Sequence, residues 1–213
     1  MKKVIISIAM LTVAFAVNAQ SEKFTGAMKK FLVVLDSAKT GEDLQNASNS
    51  FERIANAEKT EWLPWYFAAY SLVMKSFQLK DVKEVDATMD KADLFLTNAE
   101  MLVQDNSENT LLRAMVVQCR MSADQSRYMT LGPKCTLLIK KSEQQTPKDN
   151  PRAYMMDAQM AYYTPAAFGG GKDKGKDLMN KAISLFESFK PESDIHPNWG
   201  KDYCVQALAG WNK

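Results

Sequence analysis

Apolar residues in this chain recur three and four positions apart in segment after segment, and nowhere do they alternate with period two for the length of a strand. The pattern is cleanest near the C-terminal end. There Gly175, Leu178, Met179, Ala182, Leu185, Phe186 and Phe189 fall on one continuous helical face. Just upstream, Asn150-Pro151 suits a capped first turn, and Thr164-Pro165 ends that helix. Gly169, Gly170 and Gly171 then allow a tight structural turn. The stretch from Asn150 to Phe189 is therefore expected to be an antiparallel helix pair.

The same periodicity runs through the rest of the chain. Phe24, Met28, Phe31, Leu32 and Leu35 form one stripe, and Leu44, Ala47, Phe51 and Ile54 form the next. Trp62 to Phe77 is apolar on nearly all sides, which predicts a core helix too short to span a bilayer. Val85 to Val103 keeps helical spacing, and Asp105-Asn106-Ser107 supplies a break and a cap. Leu112 to Ala123, then Tyr128 to Ile139 with Pro133 early in it, and finally Trp199 to Trp211 complete the series. The expectation is an all-α fold of about nine helices. Pairing the segments after the first gives units at 44–77, 85–123, 128–163 and 173–211, each second helix being the more apolar.

The first nineteen residues stand apart. Lys2-Lys3, the apolar run Val4 to Val17 and then Val17-Asn18-Ala19 have the three regions of a secretory signal peptide, with cleavage expected after Ala19. Residues 20–213 would then form a single domain, periplasmic or secreted, with no transmembrane span in the mature chain. Lys2 and Lys3 leave with the signal and no acid does, so 27 basic side chains fall to 25, equal to the 25 acidic ones. A neutral chain is a poor partner for nucleic acid, which demands a concentrated basic face. In an oxidising compartment Cys119 and Cys135, on consecutive predicted helices, could bridge, and the odd count leaves at least one thiol unpaired.

The segment Phe168 to Phe189, with its Gly-Gly turn, lysine-rich amphipathic helix and Lys181-Ala182 step, resembles the start of a tetratricopeptide repeat. The likeness is to small secreted proteins of Gram-negative bacteria with degenerate repeats of this type. Lys91-Ala92 repeats the step on an earlier helix. The resemblance implies antiparallel helix pairs wound into a tetratricopeptide-like right-handed superhelix. The customary spacing of about 34 residues is not kept, so no peptide-binding residues carry over.

Catalytic patterns are hard to find. The single histidine, His196, has only Glu192 and Asp194 nearby, too few for a metal site. The run Gly169-Gly170-Gly171-Lys172 is followed by Asp173 where a phosphate loop needs Ser or Thr, and a helix precedes it where a strand is required. No nucleophile elbow is present. No enzyme activity, metal or cofactor is expected.

Aromatic side chains remain. Trp62, Trp65, Tyr66 and Tyr70 fit a core, whereas Tyr162, Tyr163, Phe168 and Trp199 border breaks in helices and are the candidate contact surface. Two functions fit these features. The first is an exported scaffold that binds a protein or peptide partner on its helical-repeat surface. The alternative is a small-molecule carrier or enzyme with a pocket near His196, Tyr163 and Cys204.

Overall fold

A computed structural model of the protein describes residues 22–213, so the expected signal segment lies outside the described residues. Among them are nine α-helices and no strand. They are α1 (22–37), α2 (Gly41–Ala57), α3 (Leu63–Ser76), α4 (Val82–Leu102) and α5 (Ser107–Ala123), followed by α6 (Tyr128–Gln144), α7 (Pro151–Tyr163), α8 (Lys172–Ser188) and α9 (Lys201–Trp211). The all-α expectation holds, with helix pairs packing against each other in series.

Local chemistry sets most boundaries. Thr40 and Asp43 form a capping box that starts α2, and the side chains of Asp81, Asn106 and Asn150 cap α4, α5 and α7. Pro133 neither begins nor ends a helix, because α6 runs through it. The last helix departs from expectation. It begins at Lys201 after Gly200 in the left-handed region (φ 109°), leaving Trp199 in the loop ahead of it.

From α2 to α8 each helix packs on the next, and α5 also touches both α3 and α7 directly. These three therefore form a shared inner layer, which explains their composition. Tyr66, Phe67, Ala68, Ala69, Leu72 and Val73 of α3 are all buried, as are Leu111, Leu112, Ala114, Met115 and Val116 of α5. Helices at the outside, such as α2 and α8, need only one apolar stripe. The expected trend of a more apolar second helix holds in composition for α3, α7 and α9 but not for α5; in burial, α3, α5 and α7 are each more enclosed than the helix before, whereas α9 buries only Cys204.

Of the three most extensive helix contacts, α7 to α8, the pair expected over 150–189, and α5 to α6 cross the expected unit boundaries, while α2 to α3 lies within one. Glycine explains the first of these. A Cβ on Gly175 would stand 2.6 Å from Tyr162 Cβ and 2.7 Å from its Cα, so α8 approaches the backbone of α7 where no side chain fits. In the turn between them Gly169 and Gly171 have φ of 83° and 127°. Gly170 has a different constraint, since a Cβ there would fall on the carbonyl oxygen of Thr164. The glycine run is thus structural at each of its three positions, twice by dihedral angle and once by space.

Replacing Gly170 with Val is expected to destabilise the protein by more than about 2 kcal/mol, because backbone must move to admit the side chain. Gly26→Ala is expected to stabilise α1 by roughly 0.5–1 kcal/mol, since nothing lies within 4 Å of its added methyl group. Urea unfolding of both variants checks the pair of signs; wild-type stability of the Gly170 variant would refute the close approach.

Candidate functional site

The inner layer leaves an apolar cleft of about 410 Å³ at its open side. Helix α3 contributes Tyr70 and Met74, with Phe77 just past its end, and α5 contributes Met115 and Gln118. Helix α7 adds Met155, Met156, Gln159 and Tyr163, and the far wall is Trp199, Gly200 and Tyr203. No charged side chain lines it. Phe77 is 55%, Tyr163 74% and Tyr203 47% exposed, so three aromatic rings stand at the mouth while Met155 and Met156 form the buried floor.

Trp199 is fixed in place although it lies outside any helix. Its Nε1 donates to Tyr66 Oη at 3.0 Å, and its ring lies against Tyr70 with centroids 5.0 Å apart and 30° between planes. Its carbonyl accepts from Arg152 Nη1 at 3.2 Å. Arg152 has no exposed side-chain surface and faces Glu108, also buried, with Nε 3.0 Å from Oε2 and Nη2 bonded to Oε1. Asn150 Nδ2 donates to the same Glu108 at 2.8 Å. Gly200 permits the close fit: a Cβ there would lie 3.0 Å from Phe186 and 3.5 Å from Arg152 Cγ.

Burial raises the phenol pKa of Tyr70, aided by Asp36 and opposed by Arg152, and burial also raises that of Tyr203. Both rings therefore stay neutral in the physiological range and present phenol, not phenolate, to a ligand. The thiols are equally quiet. Burial pushes Cys119 up to about 11, and Cys135 and Cys204 to about 12. All three are free, so the bridge conceivable between Cys119 and Cys135 is not formed. Cys135 instead donates to the Ala114 carbonyl.

The candidate aromatics part company. Tyr163 and Trp199 meet at the cleft. Tyr162 turns away and stacks on Trp211, centroids 4.0 Å apart and planes 7° apart, which docks α9 onto α7. Phe168 borders a different cleft of about 570 Å³ on the opposite side of α7, with Tyr128, Met129, Met160 and Lys174. That second cleft also contains Asp157, paired with Lys140 at 2.6 Å.

The pocket expected from His196, Tyr163 and Cys204 does not assemble as one site. Cys204 is fully buried, and His196 lines a separate cavity of about 250 Å³ beside Trp62, Glu108 and Phe189. His196 Nδ1 is 2.8 Å from Ser193 Oγ, and Nε2 is 3.2 Å from Glu192. Met74, Met115, Met155 and Tyr203 belong to the cleft without having stood out in the sequence, and Tyr70, expected in the core, lines it too. Their signal is the clustering of methionine with aromatic residues on four helices brought together in space. Among the described residues no group of three His, Cys, Asp or Glu side chains converges to hold a metal ion, and no helix is long and apolar enough to cross a membrane.

An apolar cleft with aromatic walls and no charge suits a small apolar molecule. A solved structure narrows the class. The HusA haemophore from Porphyromonas gingivalis is 31% identical, with a TM-score of 0.80 over 88% of this chain and 92% of that one. The chain belongs to the family of the HusA haemophore. No protein-family model matches it, and no curated protein does. Kinship with a haemophore overturns the expectation of a scaffold for a protein or peptide partner and favours the small-molecule alternative. The physical reason for the error is that an aromatic cluster on a helical array suits either kind of ligand until its enclosure is known.

Burial lowers the pKa of His196 below its ordinary 6.5, outweighing the nearby carboxylates of Glu192, Glu108 and Glu61. The fold therefore favours the neutral imidazole. That contribution to stability is complete above pH 6.5 and is lost as pH falls through the lower folded-state value. Thermal unfolding from neutral pH to about pH 5 is expected to show a decline that His196→Gln reduces; an identical decline in both proteins would contradict it.

Proposed function

We propose that this protein is an exported, non-enzymatic carrier of haem, which it takes up in the cleft between α3, α5, α7 and the Trp199 loop. The observation that carries this is the lining: aromatic rings and thioethers, with Gln118 and Gln159 as its amides and no charge. Kinship with a haemophore supports it. So does the sequence of residues 1–19, which has the form of a signal peptide. Stacking of the helix pairs as a tetratricopeptide-like superhelix agrees with a cleft open along the inner layer.

Haem is a flat macrocycle, apolar on both faces, with two carboxylates on one edge. Entering by its apolar edge, it removes both faces from water against Tyr70, Trp199 and the methionines, at about 25 cal/mol per Å² buried. The carboxylates stay at the mouth, because burying them without a cation would cost several kcal/mol. Methionine sulfur is polarisable and packs well against π-systems. Met74, Met115 and Met155 would hold the ring through their thioethers, and Tyr163 and Tyr203 would lie against it at the mouth through their aromatic faces. With binding dominated by apolar burial, affinity should change little with ionic strength.

Titration of the protein with haemin, followed by the Soret band, tests the assignment. Phe77→Asp places a charge at the mouth from a largely exposed position and is expected to weaken binding about tenfold, equivalent to ~1.4 kcal/mol. Phe168→Ala, in the other cleft, should leave affinity unchanged. A loss with Phe168→Ala and none with Phe77→Asp would move the cargo to the opposite face of α7, and absence of saturable binding in the wild type would refute the function itself.

A further inference from the structure

Arg152 and Glu108 do not line the cleft, yet both are held at a point that decides its shape. Residues 189–200 form no regular helix, so no backbone ladder fixes Trp199. What fixes it is side-chain chemistry from two inner helices. Arg152 of α7 donates to its carbonyl, and Tyr66 of α3 accepts from its indole. The guanidinium is itself held by both oxygens of Glu108 on α5. It lies 4.6 Å from the Phe189 ring centroid and 5.5 Å from that of Trp199, so rings enclose it where water would otherwise compete.

We infer that Arg152 and Glu108 are positioning residues of the carrier cleft, setting Trp199 in its ring-accepting place before any cargo arrives. The inference rests on the proposed haem site. A guanidinium suits the task because its rigid fork grips a carboxylate with two nitrogens while the third reaches a carbonyl. An ammonium has no such geometry. A buried ion pair is a poor way to gain stability, since well-packed apolar residues do as well or better. Its advantage here is direction: it ties α5, α7 and the terminal loop at one point. A preset wall spares the ordering cost when the ligand binds.

The test is a double-mutant cycle on haemin affinity in the full mature protein, with Arg152→Lys measured against Trp199→Ala. Arg152→Lys is expected to weaken binding about tenfold when Trp199 is present and less than about twofold when it is not, because the arginine acts through the indole. Equal losses in both backgrounds, or no loss in either, would overturn the inference. Glu108→Gln keeps an acceptor and the shape of the side chain, and it carries the same cycle if Arg152→Lys folds poorly. A second readout needs no haem. With 5-fluorotryptophan at the four tryptophans, the ¹⁹F line of Trp199 should broaden or split in either variant, while that of Trp211 is unmoved. Unchanged lines overturn the positioning role, whereas a wild type that binds no haemin but shows the Trp199 response removes only the cargo.

Discussion

A guanidinium without solvent exposure must be fully bonded, and that demand organises the C-terminal half of the molecule. Desolvating Arg152 opposes its charge, and the Glu108 carboxylate beside it restores the charge by attraction and hydrogen bonding. Removing one partner of such a pair leaves a bare buried charge and costs about 3–5 kcal/mol. The two residues are 44 apart in sequence, so their bond closes the α5 to α7 segment on itself. Asn150 caps α7 and bonds Glu108 as well, which makes the start of that helix part of the same network.

Everything on the cleft side follows from where this network holds the chain. Trp199 is suspended between Arg152 and Tyr66, and Tyr66 in turn lies parallel to Tyr70, 6.3 Å between centroids and 8° between planes. The wall that meets a ligand is thus backed by buried rings and a buried ion pair. The opposite wall is softer. Methionines on α5 and α7 have unbranched, polarisable side chains that adapt to a ligand's face. A stiff aromatic wall facing an adaptable sulfur-rich one, with no charged side chain in the lining, is the feature on which the proposed uptake of a flat ring rests.

Much of the fold was legible because it is written in local spacing. Stripes such as Leu44, Ala47, Phe51 and Ile54 announce a helix wherever it packs, and Asn106 and Asn150 announce its start. The glycine turn was legible too, although the need for Gly170 is a clash with Thr164 and not a dihedral angle. The site was legible only in part. Tyr163 and Trp199 stand at breaks and so attract notice, but Tyr162 and Phe168 stand there as well and serve an interhelical stack and a different cleft. Tyr70, Met115 and Met155 occupy helical positions indistinguishable from core. What makes them a site is the side-by-side placement of α3, α5 and α7, a relation between residues some 40 positions apart. The small-molecule carrier stood second to the protein scaffold for a related reason: aromatic spacing alone does not separate a flat ligand from a peptide.

The central claim is that haem lies against the methionine side of the cleft, with Trp199 preset opposite. Methyl NMR of protein labelled at the methionine ε-carbons tests it most directly, because a haem ring shifts nearby methyl groups strongly and distant ones little. On adding haemin, the resonances of Met74, Met115 and Met155 should move or broaden together, while those of Met129 and Met160 at the other cleft stay in place. Shifts confined to Met129 and Met160, with the first three unmoved, would contradict the account.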